Sequence, residues 1–482
     1  MNFATLLDRR AAADPDGLAI ADSRESLTNR DMRDRVHAVE TQLDGLGVGR
    51  GDVIAVALAN RIEFVLVLFA AWRRGAAVTP VNPASTPREA ERQIADSEAK
   101  VVVLEDDAVA VSSTVVTVRV SEFNYSITAQ PPDLDQDDSA LALLIYTSGT
   151  TGSPKGVMLD HANLGAMTEM CRAGLDIDES DRCLLVLPLF HVNGIVVSIL
   201  TPMSAGASVL IAARFDPRRF FADVAEHRPT YFSGVPTIFS MLASIPDSEH
   251  PDTSSIRFAV CGAAPAPAEL LDRFRGRFGF PVVEGYGLSE GTCATTLNPI
   301  DGVRKAGTVG PALPGQEIRI VDRTGAQLPV GEAGEVIVRG PNVMRGYFGR
   351  PEETARTVVD GWLHTGDVGR VDTDGYLTLV GRSKELIIRG GENIYPKEIE
   401  DVLTLDSAVM AAAVLGAPDA RWGEVVVAFV EPKPGADVDI DALEALCRNN
   451  LTRFKQPSVI HVVAGLPRNA VGKIDKKALA ST

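Results

Sequence analysis

The chain has 482 residues, more than the roughly 250–300 that one core usually supports, so more than one domain is expected. Its 45% hydrophobic and 23% charged residues form a globular balance, which excludes a disordered tail, a coiled coil and a collagen-like fibre. With 64 acidic against 47 basic residues the formal charge is −17, the wrong sign for a general nucleic-acid binder, although a locally basic pocket for one small anion is compatible with it.

The N-terminus does not read as a signal peptide, because Arg9, Arg10 and several aspartates interrupt any apolar segment. Residues 53–58 (VIAVAL) read as a buried strand, 61–72 as a helix and 76–81 as the next strand. Thr86 and Pro87 open a helix through Ser97, with threonine as N-cap and proline in the first helical position. A further strand follows at 101–104. This alternation predicts an α/β fold with largely parallel sheets. Residues 131–139 (PPDLDQDDS) are a polar connector, and the strand ALALLIY ending at Tyr146 runs into a loop rich in glycine and threonine. Two apolar stretches need weighing against a membrane span. The run 64–72 is far too short, and 184–203 is broken by Pro188, His191, Asn193 and Pro202, so both read as core.

Further α/β units continue to about residue 300. Short strands at 318–321 and 335–338, set among glycine and proline turns, predict a small β subdomain. Beyond the turn-rich residues 372–375 lies a compact tail. It has a helix from Pro396 with Ile399, Val402 and Leu403 on one face, strands at 411–415 and 425–430, a helix from Asp441 and a strand at 459–463. The expected fold is α/β: a large N-terminal domain of α/β sheets plus a small β subdomain, residues 1–383, and a small mobile α+β C-terminal domain, residues 384–482. The five cysteines are scattered without a CxxC pair and read as buried reduced thiols. The seven histidines show no metal-ligand spacing.

The strongest chemical signal is Thr147-Ser-Gly-Thr-Thr-Gly-Ser-Pro-Lys-Gly156. Gly149, Gly152 and Gly156 let the backbone approach a bulky anion. Successive backbone N–H groups make a concave anion nest, the hydroxyls of Thr147, Ser148, Thr150 and Thr151 add donors, and Lys155 adds a positive charge. A triphosphate is the natural guest. The spacing is not that of a Walker A loop, and no serine or threonine follows the lysine.

This decapeptide resembles the signature of the adenylate-forming enzymes, which comprise acyl-CoA synthetases, adenylation domains and beetle luciferases. Four more stretches resemble that family's motifs, in family order: Tyr286-Gly-Leu-Ser-Glu290, His364-Thr-Gly-Asp367, Gly381-Arg-Ser-Lys384 with Gly390-Gly-Glu-Asn-Ile-Tyr-Pro396, and Pro467-Arg-Asn-Ala-Val-Gly-Lys473. The likeness is greatest to a bacterial fatty-acid or aryl-acid CoA ligase. It implies two steps. A carboxylate attacks the α-phosphate of Mg·ATP to give an acyl-adenylate and pyrophosphate, and the thiol of coenzyme A then displaces AMP. Joining AMP to the carboxylate turns a very poor leaving group into a good one. Lysines, Mg²⁺ and backbone N–H groups screen the like charges that must meet.

Roles follow from the resemblance, position by position. Lys473 matches the lysine that bridges the carboxylate and the α-phosphate. Glu290 matches the magnesium-binding acid, with Thr151 as a second metal contact, and Ser289 matches the α-phosphate contact. Thr147, Ser148, Gly149, Thr150, Thr151, Gly152 and Lys155 are expected around the phosphates. Tyr286 is expected on adenine between Gly285 and Gly287, with Gly262, Ala263, Ala264 and Pro265 as the opposite wall. Asp367 matches the acid that holds the ribose hydroxyls, and Arg382 the second ribose or phosphate contact. Lys384 matches the hinge about which the C-terminal domain rotates, after which Gly390 and Gly391 line the thiol tunnel. His191 falls where the family gates its acyl pocket. A lone histidine is more often structural, and His191 is expected to orient the carboxylate rather than act as a general base.

Pocket-lining stretches by the same likeness are 191–197, 232–237, 260–264 and 284–291, mostly apolar or small. Malonate-specific relatives carry an arginine where this chain has Gly285, so a monocarboxylic fatty or aryl acid is expected. Free coenzyme A is the leading acceptor. The alternative is an acyl-AMP ligase that loads a carrier-protein pantetheine, and more remote alternatives are a luciferase-type oxygenase and a non-catalytic nucleotide-binding relative. The expected setting is the cytoplasm, with no transmembrane segment, no nucleic-acid partner and room for a homodimer.

Overall fold

The computed structural model describes residues 3–108, 115–127, 137–147, 154–246, 248–264, 266–390, 392–468 and 474–479. The chain divides into two compact units. One comprises Met1–Ile318 and Val338–His364, the other Arg319–Ile337 and Thr365–Thr482.

The first unit holds two large sheets. One has seven strands in the spatial order Gly346–Tyr347, Lys155–Asp160, Leu141–Thr147, Ala77–Pro80, Val53–Ala57, Val101–Leu104 and Val116–Arg119. From Leu141–Thr147 to the Val116–Arg119 edge all neighbours are parallel, and the two strands at the other edge are antiparallel. The central strands Val53–Ala57, Ala77–Pro80 and Val101–Leu104 are buried at every position. They lie under helices on both faces, which is why their sequences are unbroken apolar runs rather than alternating ones. The helix Pro87–Asp96 begins as its sequence predicts: the Thr86 side chain accepts from the Glu89 amide, and Glu89 returns a bond to the Thr86 amide.

The second sheet has eight strands, in the order Thr296–Leu297, Val282–Tyr286, Phe258–Cys261, Tyr231–Gly234, Arg182–Leu185, Ser208–Ile211, Leu18–Ala21 and Ser26–Thr28. Only its two edge pairings are antiparallel. The expected α/β fold with largely parallel sheets is thus present. The apolar stretch at 184–203 is core: it ends in the short helices Val192–Ile195 and Thr201–Ser204, joined by a π-helical turn at Val196–Leu200. Among the described residues no helix is long and apolar enough to cross a membrane.

In the second unit, which the strand Trp362–Val371 enters at Thr365, that strand turns back through residues 372–376 to pair with Leu377–Arg382. The C-terminal sheet follows, in the order Glu392–Ile394, Ile387–Arg389, Gly423–Pro432 and Val409–Asp419, with Val459–Val462 parallel to Gly423–Pro432. Helices Pro396–Leu403 and Ile440–Asn450 cover it through Ile399, Leu403, Leu443 and Cys447, against Val414, Val426 and Val430. The strands of the central hairpin are longer than the apolar runs that announce them, because their ends continue as exposed ladder.

Candidate active site

The phosphate-loop sequence sits at the end of a hairpin. Strands Leu141–Thr147 and Lys155–Asp160 pair antiparallel, with Thr147 opposite Lys155 and Tyr146 opposite Gly156. Ser148, Gly149, Thr150, Thr151 and Gly152 lie outside the described residues. Gly156 is also packed closely by its own hairpin. It lies within the strand, and a Cβ there would meet Leu144 Cδ1 at 2.9 Å and Tyr146 Cζ at 3.1 Å, so close packing is a further reason for glycine here.

Lys155 extends from this hairpin onto the edge strand Gly346–Tyr347. Its ammonium lies 5.0 Å from the centre of the Tyr347 ring and forms an ion pair with Glu353. The Tyr347 hydroxyl donates to Glu290 Oε1 at 2.9 Å. Burial, and then the Glu290 carboxylate, push the Tyr347 hydroxyl well above its usual pKa, so it remains a donor. The structure therefore joins two predicted residues, Lys155 and Glu290, through a third that the sequence does not flag. The Glu290 carbonyl also accepts from the Met344 amide at 2.9 Å, which fixes the turn Ser289–Gly291 against the segment leading to Tyr347. Ser289 opens that turn, and its carbonyl accepts from the Thr292 amide at 2.9 Å.

Tyr286 ends the strand Val282–Tyr286, half-buried, with its carbonyl accepting from the Thr295 amide at 2.7 Å. The next residues are forced by sterics. A Cβ on Gly287 would lie 1.8 Å from the Cys293 carbonyl oxygen, so only glycine fits. At Gly285 a Cβ would meet Thr296 O at 3.1 Å and Leu297 Cδ1 at 3.2 Å. Gly285 is thus packed closely against its neighbouring strand. Gly262 stands beside it, 3.7 Å from the Gly285 carbonyl oxygen measured from an ideal Cβ. Gly262 and Ala263 leave their strand alongside the Tyr286 strand, and Ala263 has φ +68°. Pro265 lies outside the described residues.

Sequence reasoning misses the support of this turn. Thr292 and Cys293 have φ of +63° and +136°, costly for residues with a Cβ. The Thr292 hydroxyl donates to the Asn342 carbonyl, and Asn342 Nδ2 donates to the Gly291 carbonyl at 2.9 Å. No glycine marks these positions, so the sequence carries no signal of their conformation.

His191 caps the short helix Val192–Ile195. Its ring lies 4.3 Å from that of Phe190, and its carbonyl accepts from the Ile195 amide at 3.4 Å. Gly194 fits tightly under the Pro188 carbonyl, which a Cβ would approach to 2.7 Å. Asn193 Oδ1 and Ser233 Oγ, in two of the predicted pocket stretches, are buried with no hydrogen-bond partner among the described residues. The cysteines are free thiols. Four are buried as expected, while Cys293 is half-buried.

In the second unit Asp367 and Arg382 are direct cross-strand partners, and Arg382 Nε lies 2.9 Å from Asp367 Oδ1. Asp367 is buried and Arg382 exposed. The Asp367 amide donates to Thr365 Oγ1 at 3.1 Å, and that hydroxyl donates to the Val336 carbonyl at 2.6 Å. Lys384 stands exposed in the 3-10 turn Ser383–Glu385. Gly390, at φ +61°, follows the strand Ile387–Arg389, and its amide donates to the Trp422 carbonyl at 2.7 Å. Gly391 and Lys473 lie outside the described residues. The flanks of Lys473 are pinned: Arg468 and Ile474 form an antiparallel bridge, and the Asp475 amide donates to the Pro467 carbonyl at 2.7 Å. Lys476, which sequence reasoning passed over, contacts Glu385 Oε2 and Glu400 Oε1, each at 2.8 Å. Burial alone lowers its pKa, and the two carboxylates outweigh that and raise it.

The AMP-binding enzyme family matches residues 7–348, and the AMP-binding enzyme C-terminal domain matches residues 398–473. A feruloyl-CoA synthase from Amycolatopsis is 37% identical over 474 residues, 97% of this chain and 96% of its own. A long-chain-fatty-acid–CoA ligase from Bacillus subtilis is 34% identical over 98% of this chain and 93% of its own. The crystal structure of ATP-bound MatB from Rhodopseudomonas palustris superposes with a TM-score of 0.92 at 33% identity, covering 100% of this chain and 99% of that one. On the match of both domains and these full-length relatives, the chain belongs to the AMP-binding enzyme family.

Proposed function

We propose that the protein is an ATP-dependent carboxylic acid:CoA ligase that makes an acyl-adenylate and then an acyl-CoA thioester, releasing pyrophosphate and AMP. The substrate class is a monocarboxylic fatty or aryl acid. The observation that carries this reading is the full-length similarity to a feruloyl-CoA synthase, 37% identical over 97% of this chain. The predicted pocket stretches are mostly apolar or small, which suits such an acid. All five cysteines are free thiols, which suits a reducing compartment, and we place the enzyme in the cytoplasm.

In this reading Tyr286 stacks on adenine against Gly262, Ala263, Ala264 and Pro265. Asp367 takes the ribose hydroxyls as a buried acceptor already oriented by Arg382. The loop from Thr147 to Lys155 cradles the phosphates, and Ser289 reaches the α-phosphate. Lys473 draws the carboxylate and the α-phosphate together, neutralising charge that builds as the bond forms. His191 shapes the acyl pocket. Rotation at Lys384 then removes Lys473 and brings Gly390 and Gly391 to the thiol path.

Glu290 fits a place at a divalent cation. Its carboxylate is a hard oxygen ligand, and Tyr347 holds it by one oxygen. Among the described residues no group of three or more His, Cys, Asp or Glu could hold a metal, and a magnesium ion characteristically draws most of its ligands from phosphate and water. Glu290 and Thr151 would be its protein contacts, and when bound Mg²⁺ withdraws charge from the phosphate oxygens.

The test is AMP release from ATP across a panel of carboxylic acids, each with and without coenzyme A. Turnover that requires both an acid and coenzyme A supports the reading. Pyrophosphate exchange that coenzyme A never converts to turnover points to a carrier-protein acceptor and overturns it.

A further inference from the structure

We propose that Glu353 is a built-in counter-anion for Lys155, giving up the lysine when a nucleotide polyphosphate binds and recapturing it as pyrophosphate leaves. The inference rests on the reading that Lys155 meets the polyphosphate, and it adds a residue that sets how tightly nucleotide and product are held.

Lys155 begins its strand opposite Thr147, at the base of the phosphate-loop hairpin. Its side chain is only 14% exposed and that of Glu353 only 25%, so neither charge is fully solvated. Lys155 holds the Glu353 carboxyl below the usual carboxylate range. The cation most suited to an incoming polyphosphate is therefore already occupied by an acid of the same chain. A carboxylate and a phosphate cannot both sit against one ammonium without repelling each other, so binding of one works against the other.

The structure provides for the exchange. Arg350 Nη1 lies 3.6 Å from Glu353 Oε1, so Glu353 keeps a cationic neighbour when Lys155 leaves. That matters because removing one member of a sheltered ion pair is costly when the other is left uncompensated. Arg350 also lies 3.8 Å from Asp96, which accepts from the Tyr146 hydroxyl at 2.7 Å, so its side chain is tied at a second point. Lys155 has its own support in the Tyr347 ring, 5.0 Å away, which remains under the ammonium whichever anion faces it. Tyr347 is in turn bonded to Glu290, so the lysine is held in a fixed relation to the acid expected at the metal.

The test is calorimetric titration of the intact enzyme with Mg·ATP and with Mg·pyrophosphate, without acid or coenzyme A. Glu353→Gln keeps the shape and removes the charge, and it should tighten both ligands about three- to tenfold. The neighbouring exposed Glu352→Gln should leave both affinities unchanged. In the double variant with Lys155→Gln, the Glu353→Gln gain should vanish. In steady state the KM for ATP should fall while the KM for the acid stays put. Unchanged or weaker binding of both ligands by Glu353→Gln overturns the proposal, as does a gain that survives in the double variant. A melting curve for each variant, with the shortened Glu353→Asp as a second probe, separates loss of fold from loss of charge. Glu353→Asp should tighten binding less than Glu353→Gln does. Because affinity is read without turnover, failure of the ligase reading in the acid panel is recorded separately.

Discussion

Asp367 and Arg382 face each other as backbone partners on adjacent antiparallel strands, and Arg382 Nε donates to Asp367 Oδ1 across 2.9 Å. The Asp367 side chain is 7% exposed and the Arg382 side chain 52%. A buried carboxylate held in place by a guanidinium is aimed, which makes it a strong acceptor for sugar hydroxyls. Asp367→Asn keeps the shape and loses the charge. Its KM for ATP should rise about ten- to a hundredfold, the scale of a hydrogen bond to a charged group. The wild type should discriminate against 2′,3′-dideoxy-ATP, and the variant should lose most of that discrimination. Equal discrimination in both would remove the ribose role from Asp367.

Two glycines offer a matched steric test. Gly287→Ala places a Cβ 1.8 Å from the Cys293 carbonyl oxygen, backbone that cannot yield without moving the Thr292–Cys293 turn. Activity should be lost, with a melting temperature several degrees lower. Gly276→Ala, inside the helix Ala268–Phe278 with nothing within 4 Å, should instead stabilise the fold by about 0.5–1 kcal/mol. Denaturant melts of the two variants against wild type check both signs at once.

How far the sequence reveals the site depends on whether the signal is local. The buried strands Val53–Ala57 and Val101–Leu104 announce themselves as apolar runs, and Thr86-Pro87 marks a helix start from two residues. Contacts made by register are silent. Glu290 meets Tyr347 because an edge strand pairs with Lys155–Asp160, and Glu353 meets Lys155 for the same reason. Asp367 faces Arg382 through a hairpin whose register shifts between Val368 and Gly369, which no pattern of residues foretells. Thr292 and Cys293 take left-handed backbone without a glycine to betray it, and the close packing of Tyr146 and Leu144 over Gly156 is equally silent in the sequence.

Acid stability should show the signature of Glu63. Burial pushes its carboxyl up, but hydrogen bonds from Arg61 and Arg24 outweigh that and hold it at about 2, below the ordinary value of 4.5. The unfolded chain therefore binds this proton more readily between about pH 2 and 4.5. The stabilisation is fully present above 4.5 and is lost as pH falls toward 2. Urea midpoints measured from pH 6 downward should decline less steeply for Glu63→Gln than for wild type in that window. Parallel curves would mean that Glu63 contributes nothing to the slope.

Lys473 and Lys476 lie three residues apart in sequence and should answer differently to the same substitution. Lys476 is committed within the fold: Glu385 and Glu400 each take it at 2.8 Å, and Glu400 also accepts from the Val414 amide at 2.9 Å. Lys476→Ala leaves Glu400, only 14% exposed, without its cation, and should destabilise the protein by about 1–3 kcal/mol. Both half-reactions should then weaken together, in step with the loss of folded enzyme. Lys473 is proposed to act only while the carboxylate and α-phosphate combine. Lys473→Ala should therefore leave the melting temperature close to wild type and cut adenylate formation by about a hundredfold or more, the scale of removing one preorganised charge from a transition state. A preformed acyl-adenylate should still be converted by coenzyme A. If Lys473→Ala depresses both half-reactions equally at unchanged stability, the lysine serves both steps, and the separation of the reaction into two arrangements of the C-terminal domain fails with it.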